Sequence, residues 1–270
     1  MASNRFGFIG AGRMATALAK GFVSAGLARP EDIVASDPSA AAAEAFARAT
    51  LCKATDDNQQ AAAAEVLILA VKPQHMAEAL AALKGPSTAG KLVISIAAGV
   101  TLATLAKELG KSTRLVRVMP NTPCLVGHGA SAFCLGAAAT PADAELVQRM
   151  LSAVGIAYQV PERLLDAVTG LSGSGPAFVF LMIEALSDGG VAMGLPRDTA
   201  TALAAQTVRG AGEMVLATRE HPAALKDQVA SPGGTTIAGL AALEAGGVRA
   251  ALMAAVAAAT ARSVELGRSA

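Results

Sequence analysis

Residues Arg5 to Ala19 read RFGFIGAGRMATALA, a short apolar run followed by closely spaced glycines. The apolar run at 6–9 is typical of a buried strand that ends at a glycine. Gly10, Gly12 and Ala15 then form G-x-G-x-x-A, the alanine-ended form of the dinucleotide fingerprint. The stretch predicts a strand, a tight turn and a helix whose open N–H groups face a diphosphate, although glycine pairs also make ordinary turns.

The composition indicates a globular chain with a surface poor in charge. Of 270 residues, 53% are hydrophobic and 16% are charged, which predicts that another subunit covers part of the surface. The net charge of +1 gives no reason to expect a nucleic-acid or membrane partner. Cys52, Cys124 and Cys134 cannot all pair and show no metal spacing. Together with the lack of a signal-peptide pattern, this predicts reduced thiols, no metal ion and a cytoplasmic location.

Strand and helix patterns alternate over the first part of the chain and then change. Further strands are predicted, with helices between them, at 32–36, 66–71, 92–96, 115–119, 131–135 and 156–160. This alternation indicates an α/β fold with a doubly wound parallel sheet over residues 1–160. From Pro161 onward only helices are predicted, at about 162–169, 176–193, 197–218, 222–229, 235–246 and 248–267. Because these helices contain little charge, residues 161–270 are expected to form an all-helical dimerisation domain.

Several predicted strands end in residues suited to a cofactor, since ligands of such sheets lie beyond the carboxyl ends of the strands. The small residues Ala97, Ala98 and Gly99 would allow a flat nicotinamide ring to approach the backbone. Lys72 is suited to hydrogen-bond the ribose or the nicotinamide side, and Asn121 lies in a loop fixed by flanking prolines. A solvated lysine and ordinary turn chemistry are the alternative interpretations of the last two residues.

The choice between NADH and NADPH depends on the end of the second predicted strand. An acidic residue there, in this chain Asp37, normally binds the 2′-hydroxyl of NAD and repels the 2′-phosphate of NADP. Ser36, Ser39 and Asn58 offer neutral hydrogen bonds to a phosphate if Asp37 turns away or caps the helix. Charge alone favours NADH, and the sequence leaves both cofactors open.

Two glycine-rich segments precede helices in the second half of the chain. Residues 166–177 read DAVTGLSGSGPA, where Ser174 is placed to cap a helix. Residues 229–237 read VASPGGTTI, and residues 233–235 would present free N–H groups at a helix start, a ready site for a carboxylate. Loops of this composition are common, but two of them in one helical region favour a small anionic substrate.

The usual catalytic sets do not occur in the sequence. His75, His128 and His221 have no obvious acid partner, and no serine nucleophile elbow is present. An enzyme of this kind relies on hydride transfer from its cofactor, with little acid–base help.

Nearly the whole chain strongly resembles the Δ1-pyrroline-5-carboxylate reductase family, in segments that follow the family's order: FIGAGRMATALAKGF, AVKPQ, SIAAGV, RVMPNTP, DAVTGLSGSGPAFVFLMIEALSDGGVAMGLPR and HPAALKDQVASPGGTTI. The resemblance implies a Rossmann domain followed by a helical domain like the C-terminal domain of 6-phosphogluconate dehydrogenase. It implies a homodimer, and for some members a decamer of five dimers. The implied reaction is reduction of the C=N bond of 1-pyrroline-5-carboxylate by NADPH or NADH to L-proline, the last step of proline biosynthesis.

The resemblance also implies roles for particular residues. Backbone N–H groups of Gly233, Gly234, Thr235 and Thr236 would hold the substrate carboxylate, and Ser174 completes the candidate substrate residues. Thr236 is the candidate catalytic residue, hydrogen-bonded to the ring nitrogen. The candidate cofactor residues are Ile9, Gly10, Ala11, Gly12, Arg13, Met14, Ser36, Asp37, Asn58, Ala70, Val71, Lys72, Pro73, Ala97, Ala98, Gly99, Asn121 and Gln228. Members of the family with a serine or an asparagine–arginine pair differ from this chain at Asp37.

Other classes fit parts of the pattern. A β-hydroxyacid dehydrogenase shares G-x-x-G-x-G, here Gly170, Gly173 and Gly175, but places its proton-donating lysine where this chain has Val179. The remaining alternatives are a reductase of a six-membered cyclic imine and a non-catalytic nucleotide sensor, which would not need SPGGTT.

Overall fold

The chain forms two compact units in a computed structural model that describes residues 5–83, 88 and 90–268. The first unit extends to Ser174 and includes the residues from Ala257 onward, and the second is Gly175–Val256. The predicted boundary at Pro161 lies inside the first unit, and the division into domains 1–160 and 161–270 stays a prediction.

The first unit is built on one mixed sheet, and the described part of the chain contributes eight strands in the order β3-β2-β1-β4-β5-β6-β7-β8. Those strands are β1 (Phe6–Ile9), β2 (Ile33–Ser36), β3 (Lys53–Thr55), β4 (Val66–Leu69), β5 (Leu92–Ser95), β6 (Arg114–Met119), β7 (Gly129–Leu135) and β8 (Gly155–Gln159). β2 and β4 lie on opposite sides of β1. The order of the strands in the sheet therefore reverses beside β1.

Helices follow the strands in the first unit and form the second. The α-helices are α1 (Arg13–Ser24), α2 (Ala40–Thr50), α3 (Asn58–Ala62), α4 (Met76–Ala81), α5 (Leu102–Leu109), α6 (Pro141–Ser152), α7 (Leu165–Val168), α8 (Gly175–Ala192), α9 (Arg197–Thr218), α10 (Pro222–Val229), α11 (Thr235–Ala245) and α12 (Val248–Arg268). Short 3₁₀ helices occur at Pro30–Asp32, Pro73–His75, Thr122–Val126 and Glu162–Leu164. The predicted Rossmann-type sheet followed by helices is confirmed.

Apolar side chains cover both faces of the sheet. On one face Phe6 and Phe8 pack with Phe22 of α1, the ring centres of Phe6 and Phe22 lying 5.1 Å apart. On the other face lie Leu67 and Leu69, which alternate with the residues that point the opposite way. This two-sided burial explains why the central strands read as continuous apolar runs.

Two features of the sheet differ from the sequence prediction. β7 runs antiparallel to β6, because residues 120–128 form only a short connection without the long crossover that a parallel pair requires. β3 was not predicted, since Lys53–Thr55 is a three-residue edge strand without an apolar run.

A buried ionic network lies where β6 meets the helices after β8. The guanidinium of Arg117, whose side chain is 6% exposed, lies 3.1 Å from Glu162 and 3.9 Å from Asp166. Ser263 of α12 donates a hydrogen bond of 2.7 Å to Asp166. Arg117, Asp166 and Ser263 thus attach the end of α12 to the sheet.

The thiol of Cys134 lies near this network. Burial, together with the negative charge of Glu162, raises the pKa of the Cys134 thiol to about 11.

The second unit exposes much of its apolar surface. Phe180, Leu181 and Met193 are 64%, 65% and 82% exposed. Two helical stretches, Glu162–Ala192 and Val248–Gly267, are long and apolar enough to cross a membrane. In an apolar segment of 18 residues within each, 11% is buried in the first stretch and 6% in the second. Core helices of soluble proteins meet the same criteria, so the expected absence of a membrane partner stays a prediction.

Candidate functional site

The fingerprint forms the turn between β1 and α1 for steric reasons. Gly10 has a φ of +101°, and a Cβ there would lie 2.7 Å from the carbonyl oxygen of Ala70, so this position requires glycine. A Cβ at Gly12 would have nothing within 4 Å, so this glycine borders open space. The helix α1 begins without a side-chain cap, which leaves its first N–H groups available to an anion.

A cavity of about 460 Å³ lies beyond the carboxyl ends of β1, β2 and β4, where the strand order reverses. Ligands of open α/β sheets bind at this place. Nine of the predicted cofactor residues line the cavity: Ile9, Gly10, Gly12, Ser36, Asp37, Asn58, Ala70, Val71 and Lys72. The sequence reasoning missed Pro38, Asp56, His75, Glu78 and Ala79, which also line it. Pro38, His75, Glu78 and Ala79 lie within about two helical turns of a predicted strand end, which is the signal that could have found them. Asp56 follows β3, which was not predicted, so the sequence offered no such signal for it.

Asp37 is held at the mouth of this cavity by backbone groups. Its Oδ2 accepts a hydrogen bond of 2.9 Å from the N–H of Ala11, and its Oδ1 accepts one of 2.9 Å from the N–H of Ser39. The N–H of Ala11 is therefore used within the protein, and its predicted contact with a cofactor stays a prediction. The carboxylate stays beside the glycines and retains lone pairs for a hydroxyl donor.

Ser36 supports Asn58 at the cavity wall. The buried Ser36 hydroxyl donates to Asn58 Oδ1 at 2.7 Å, and the carbonyl of Phe8 lies 3.3 Å from the same hydroxyl. Since the Asn58 amide oxygen accepts this bond, its Nδ2 donor remains for other partners. The geometry makes Asn58 the group that could reach a cofactor and Ser36 the residue that orients it.

The segment after β5 lies against the last helix. Ala97 is buried, and Gly99 has a φ of +76°. A Cβ at Gly99 would lie 3.4 Å from the backbone nitrogen of Gly267 in α12, so two glycine backbones meet here. Ala97, Ala98 and Gly99 do not belong to the residues that line the cavity, and their role toward the nicotinamide stays a prediction.

Asn121 is hydrogen-bonded to the protein backbone at both ends of its side-chain amide. Its Nδ2 donates to the carbonyl of Ser172 at 3.0 Å, and its Oδ1 accepts from the N–H of Ala130 at 2.9 Å. The residue is 7% exposed. Each end of the amide is therefore hydrogen-bonded to the protein backbone, and the role of Asn121 toward a cofactor stays a prediction.

Three further predicted cofactor residues lie near the fingerprint and β4. Arg13 is exposed at the first position of α1, and Met14 packs partly against the core. Pro73 begins the 3₁₀ helix Pro73–His75. The cavity lining does not include these three residues, so their contacts with a cofactor stay predictions.

In the second unit, α11 begins at the predicted anion site. Gly233 has a φ of +66°, and a Cβ at Gly234 would lie 2.3 Å from Ser231 Oγ. The N–H of Gly234 donates to the carbonyl of Ser231 at 3.1 Å, which closes a turn. The prediction that this N–H is free is therefore wrong. The helix has no side-chain cap, so the N–H groups of Thr235, Thr236 and Ile237 are the donors left in its first turn.

The other predicted substrate and cofactor residues are placed as follows. The side chain of Thr236 is half-buried in the first turn of α11. Gln228 is exposed on α10, where its amide donates to Glu220 at 2.8 Å. Ser174 belongs to the first unit, and its N–H donates to the carbonyl of Thr169 at 2.8 Å. The segment before Ser174 is a π-helical turn and not a loop.

No cluster suited to a metal ion occurs within the described residues, where His, Cys, Asp and Glu do not gather in groups of three or more. The groups at the cavity are carboxylates, an ammonium group, an imidazole, an amide and a hydroxyl, beside the open backbone N–H groups of α1.

The comparisons with known proteins cover the whole chain. A family model described as pyrroline-5-carboxylate reductase dimerisation matches residues 162–266, and one described as NADP oxidoreductase, coenzyme F420-dependent, matches residues 5–99. The pyrroline-5-carboxylate reductase of Methanosarcina acetivorans is 50% identical over 99% of this chain and 100% of its own length. The chain belongs to the pyrroline-5-carboxylate reductase family. The predicted family membership is confirmed.

Two further members extend the comparison. The pyrroline-5-carboxylate reductase of Pisum sativum is 48% identical over 98% of this chain and 96% of its own length. The crystal structure of the Plasmodium falciparum pyrroline carboxylate reductase with NADP bound has a TM-score of 0.89 and 35% identity, covering 99% of both chains. The fold and the enzyme class are thus those of an oxidoreductase of this family.

Proposed function

We propose that this chain reduces the C=N bond of 1-pyrroline-5-carboxylate with NADPH or NADH and releases L-proline. Family membership over the whole chain supports this reaction, as does a cavity formed by the fingerprint at the strand-order reversal. The observation that carries the proposal is that one chain contains both this cavity, in the first unit, and a SPGGTT helix start without a side-chain cap, in the second. A β-hydroxyacid dehydrogenase would need a proton donor where Val179 stands.

The residues of the first unit fit a dinucleotide. Gly12 leaves open space, and the first N–H groups of α1 have no side-chain cap, so a diphosphate would meet backbone donors. Asp37 and Asn58 would bind a ribose, the carboxylate accepting from a hydroxyl and the amide donating. Lys72 at the cavity wall would contact the same cofactor. When bound, the nicotinamide supplies the hydride for the imine carbon.

The residues of the second unit fit a small carboxylate. The N–H groups of Thr235 and Thr236 point out of the first turn of α11, where the helix dipole favours a negative charge. The Thr236 hydroxyl would hydrogen-bond the ring nitrogen and retain a proton there. Because a protonated cyclic imine is already electrophilic at carbon, orientation is the main task of these groups. Ser174 is the candidate substrate residue of the first unit.

The choice of cofactor follows from the charge of Asp37. Its carboxylate is held beside the glycines by the N–H groups of Ala11 and Ser39, so it has not turned away from the cavity. A 2′-phosphate near it would be repelled. We therefore expect NADH to be accepted at least as well as NADPH.

We further propose that the chain is a cytoplasmic homodimer and that dimers assemble into a decamer. The exposed apolar residues of α8 would face a second copy and not a lipid bilayer, because a match to a dimerisation family covers the same helices. A surface of this kind is typical of subunit interfaces.

A steady-state assay of the purified protein tests the reaction directly. Oxidation of NADH and of NADPH is followed with and without 1-pyrroline-5-carboxylate, and proline is identified as the product. Cofactor oxidation that depends on the imine is expected. Binding of the nucleotide without turnover would favour the nucleotide-sensor alternative, and turnover only with a six-membered imine would favour the related reductase.

A further inference from the structure

A proline interrupts the hydrogen bonding of the helix that precedes α8. Helical structure is continuous through α7, the π-helical turn Thr169–Gly173 and α8. In an α-helix the carbonyl of Ser172 would accept from the N–H of residue 176. Residue 176 is a proline, which has no N–H, so this carbonyl lacks its usual partner.

Asn121 supplies a donor to that carbonyl from the end of β6. Its Nδ2 lies 3.0 Å from the Ser172 oxygen, although the two residues are 51 positions apart in sequence. The other end of the amide accepts from the N–H of Ala130 at 2.9 Å, which fixes which way the amide points. With 7% of the residue exposed, both bonds are shielded from water.

A second contact holds the same turn against the end of β6. A Cβ at Gly173 would lie 2.5 Å from Met119 Cε, the end of a flexible side chain, so the turn lies close to the strand end. The N–H of Ser174 bonds back to the carbonyl of Thr169 at 2.8 Å, a π-type step. Isolated π-helical turns inside longer helices occur frequently at functional sites.

We propose that Asn121 is a positioning residue for the substrate, which replaces the donor missing at Pro176 and thereby fixes the turn that presents Ser174. The proposal rests on the proposed function, because it takes Ser174 as a substrate residue. It assigns Asn121 to the substrate side of the reaction and away from the cofactor.

Steady-state kinetics of four variants test this assignment. Asn121→Ala removes the donor, and we expect the KM for 1-pyrroline-5-carboxylate to rise at least about fivefold while the KM for NADH and NADPH stays within about twofold. Asn121→Asp keeps an acceptor for the N–H of Ala130 but places a carboxylate oxygen against the Ser172 carbonyl, so its increase in substrate KM should be larger. Asn121→Ala with Pro176→Ala restores a backbone N–H at position 176. The substrate KM of this double variant, divided by that of Pro176→Ala alone, should be much smaller than the ratio of Asn121→Ala to wild type.

The outcomes separate this inference from the proposed function. If the wild-type protein does not reduce the imine, the proposed function fails before any variant is compared. If the wild type is active, an increase in cofactor KM without one in substrate KM would identify Asn121 as a cofactor ligand and overturn the inference. Lower thermal stability with both KM values unchanged would also overturn it, as would a double variant that recovers nothing.

Discussion

Phe8 lies in strand β1 of the first unit, and Phe180 lies in helix α8 of the second. The side chain of Phe8 is fully buried, whereas Phe180 is 64% exposed. The sheet of the first unit is covered on both faces by its own chain. The apolar helices of the second unit are not covered by the described part of the same chain, and they lie in the segment that matches a dimerisation family. The first unit completes its core with its own chain, whereas under the proposed homodimer the second would complete its core with another copy.

The largest expected effect tests that difference directly. Phe8→Ala leaves a cavity in a closed core and should lower the free energy of unfolding by about 3–5 kcal/mol, independently of protein concentration.

Phe180→Asp in the second unit would cost less than about 0.5 kcal/mol of stability if its side chain stayed in water. We expect it to shift the protein toward monomer in sedimentation experiments and to lower the melting temperature measured at the same protein concentration as the wild type. A Phe180→Asp variant with wild-type assembly at all concentrations would contradict the assignment of this surface to a second copy.

The next effect concerns the chemistry of the second unit. Thr236→Ala should lower turnover of 1-pyrroline-5-carboxylate about tenfold, because a lost hydrogen bond to the ring nitrogen costs about 1–2 kcal/mol. Thr236→Ser retains the hydroxyl and should keep most of the activity. Equal turnover in Thr236→Ala and wild type would remove the hydroxyl from the reaction.

A smaller effect is expected in the cofactor cavity of the first unit. Asp37→Ser removes the charge beside the 2′-position and should raise the ratio of kcat/KM for NADPH over NADH about fivefold, since a charge pair about 4 Å apart in water is worth about 1 kcal/mol. Asp198→Ser makes the same charge change on the exposed face of α9 and serves as the control. An unchanged ratio in Asp37→Ser would show that Asp37 does not select the cofactor.

The smallest effect is a pH dependence of the first unit's core. Burial raises the pKa of Cys134 to about 11, so the folded protein binds this proton more tightly than the unfolded chain does. The resulting stability is fully present below pH 9 and is lost as the pH rises from about 9 to 11. Urea unfolding of the wild type and of Cys134→Ala across this range should show a smaller decline for the variant. Parallel declines would mean that Cys134 does not contribute.

Local patterns predicted most of the elements. Thr101 caps α5 through a hydrogen bond of 3.1 Å to the N–H of Thr104, as its position before an apolar helical stretch predicts. The strands of the central sheet were found from their apolar runs, and the helices of the second half were found within a few residues of their ends. The exceptions were the short edge strand Lys53–Thr55 and the π-helical turn Thr169–Gly173, because neither depends on a repeating pattern of side chains.

The sequence by itself determined the doubly wound sheet, the helical second half, the fingerprint and the family, because periodicity, turn residues and motifs act over a few neighbouring positions. Only the tertiary structure decided which backbone groups are used within the protein. The N–H of Ala11 meets a carboxylate 26 positions away, the carbonyl of Ser172 meets an amide 51 positions away, and Gly99 meets the last helix. These contacts join residues that the chain brings together only when the sheet has formed, and no local pattern encodes them.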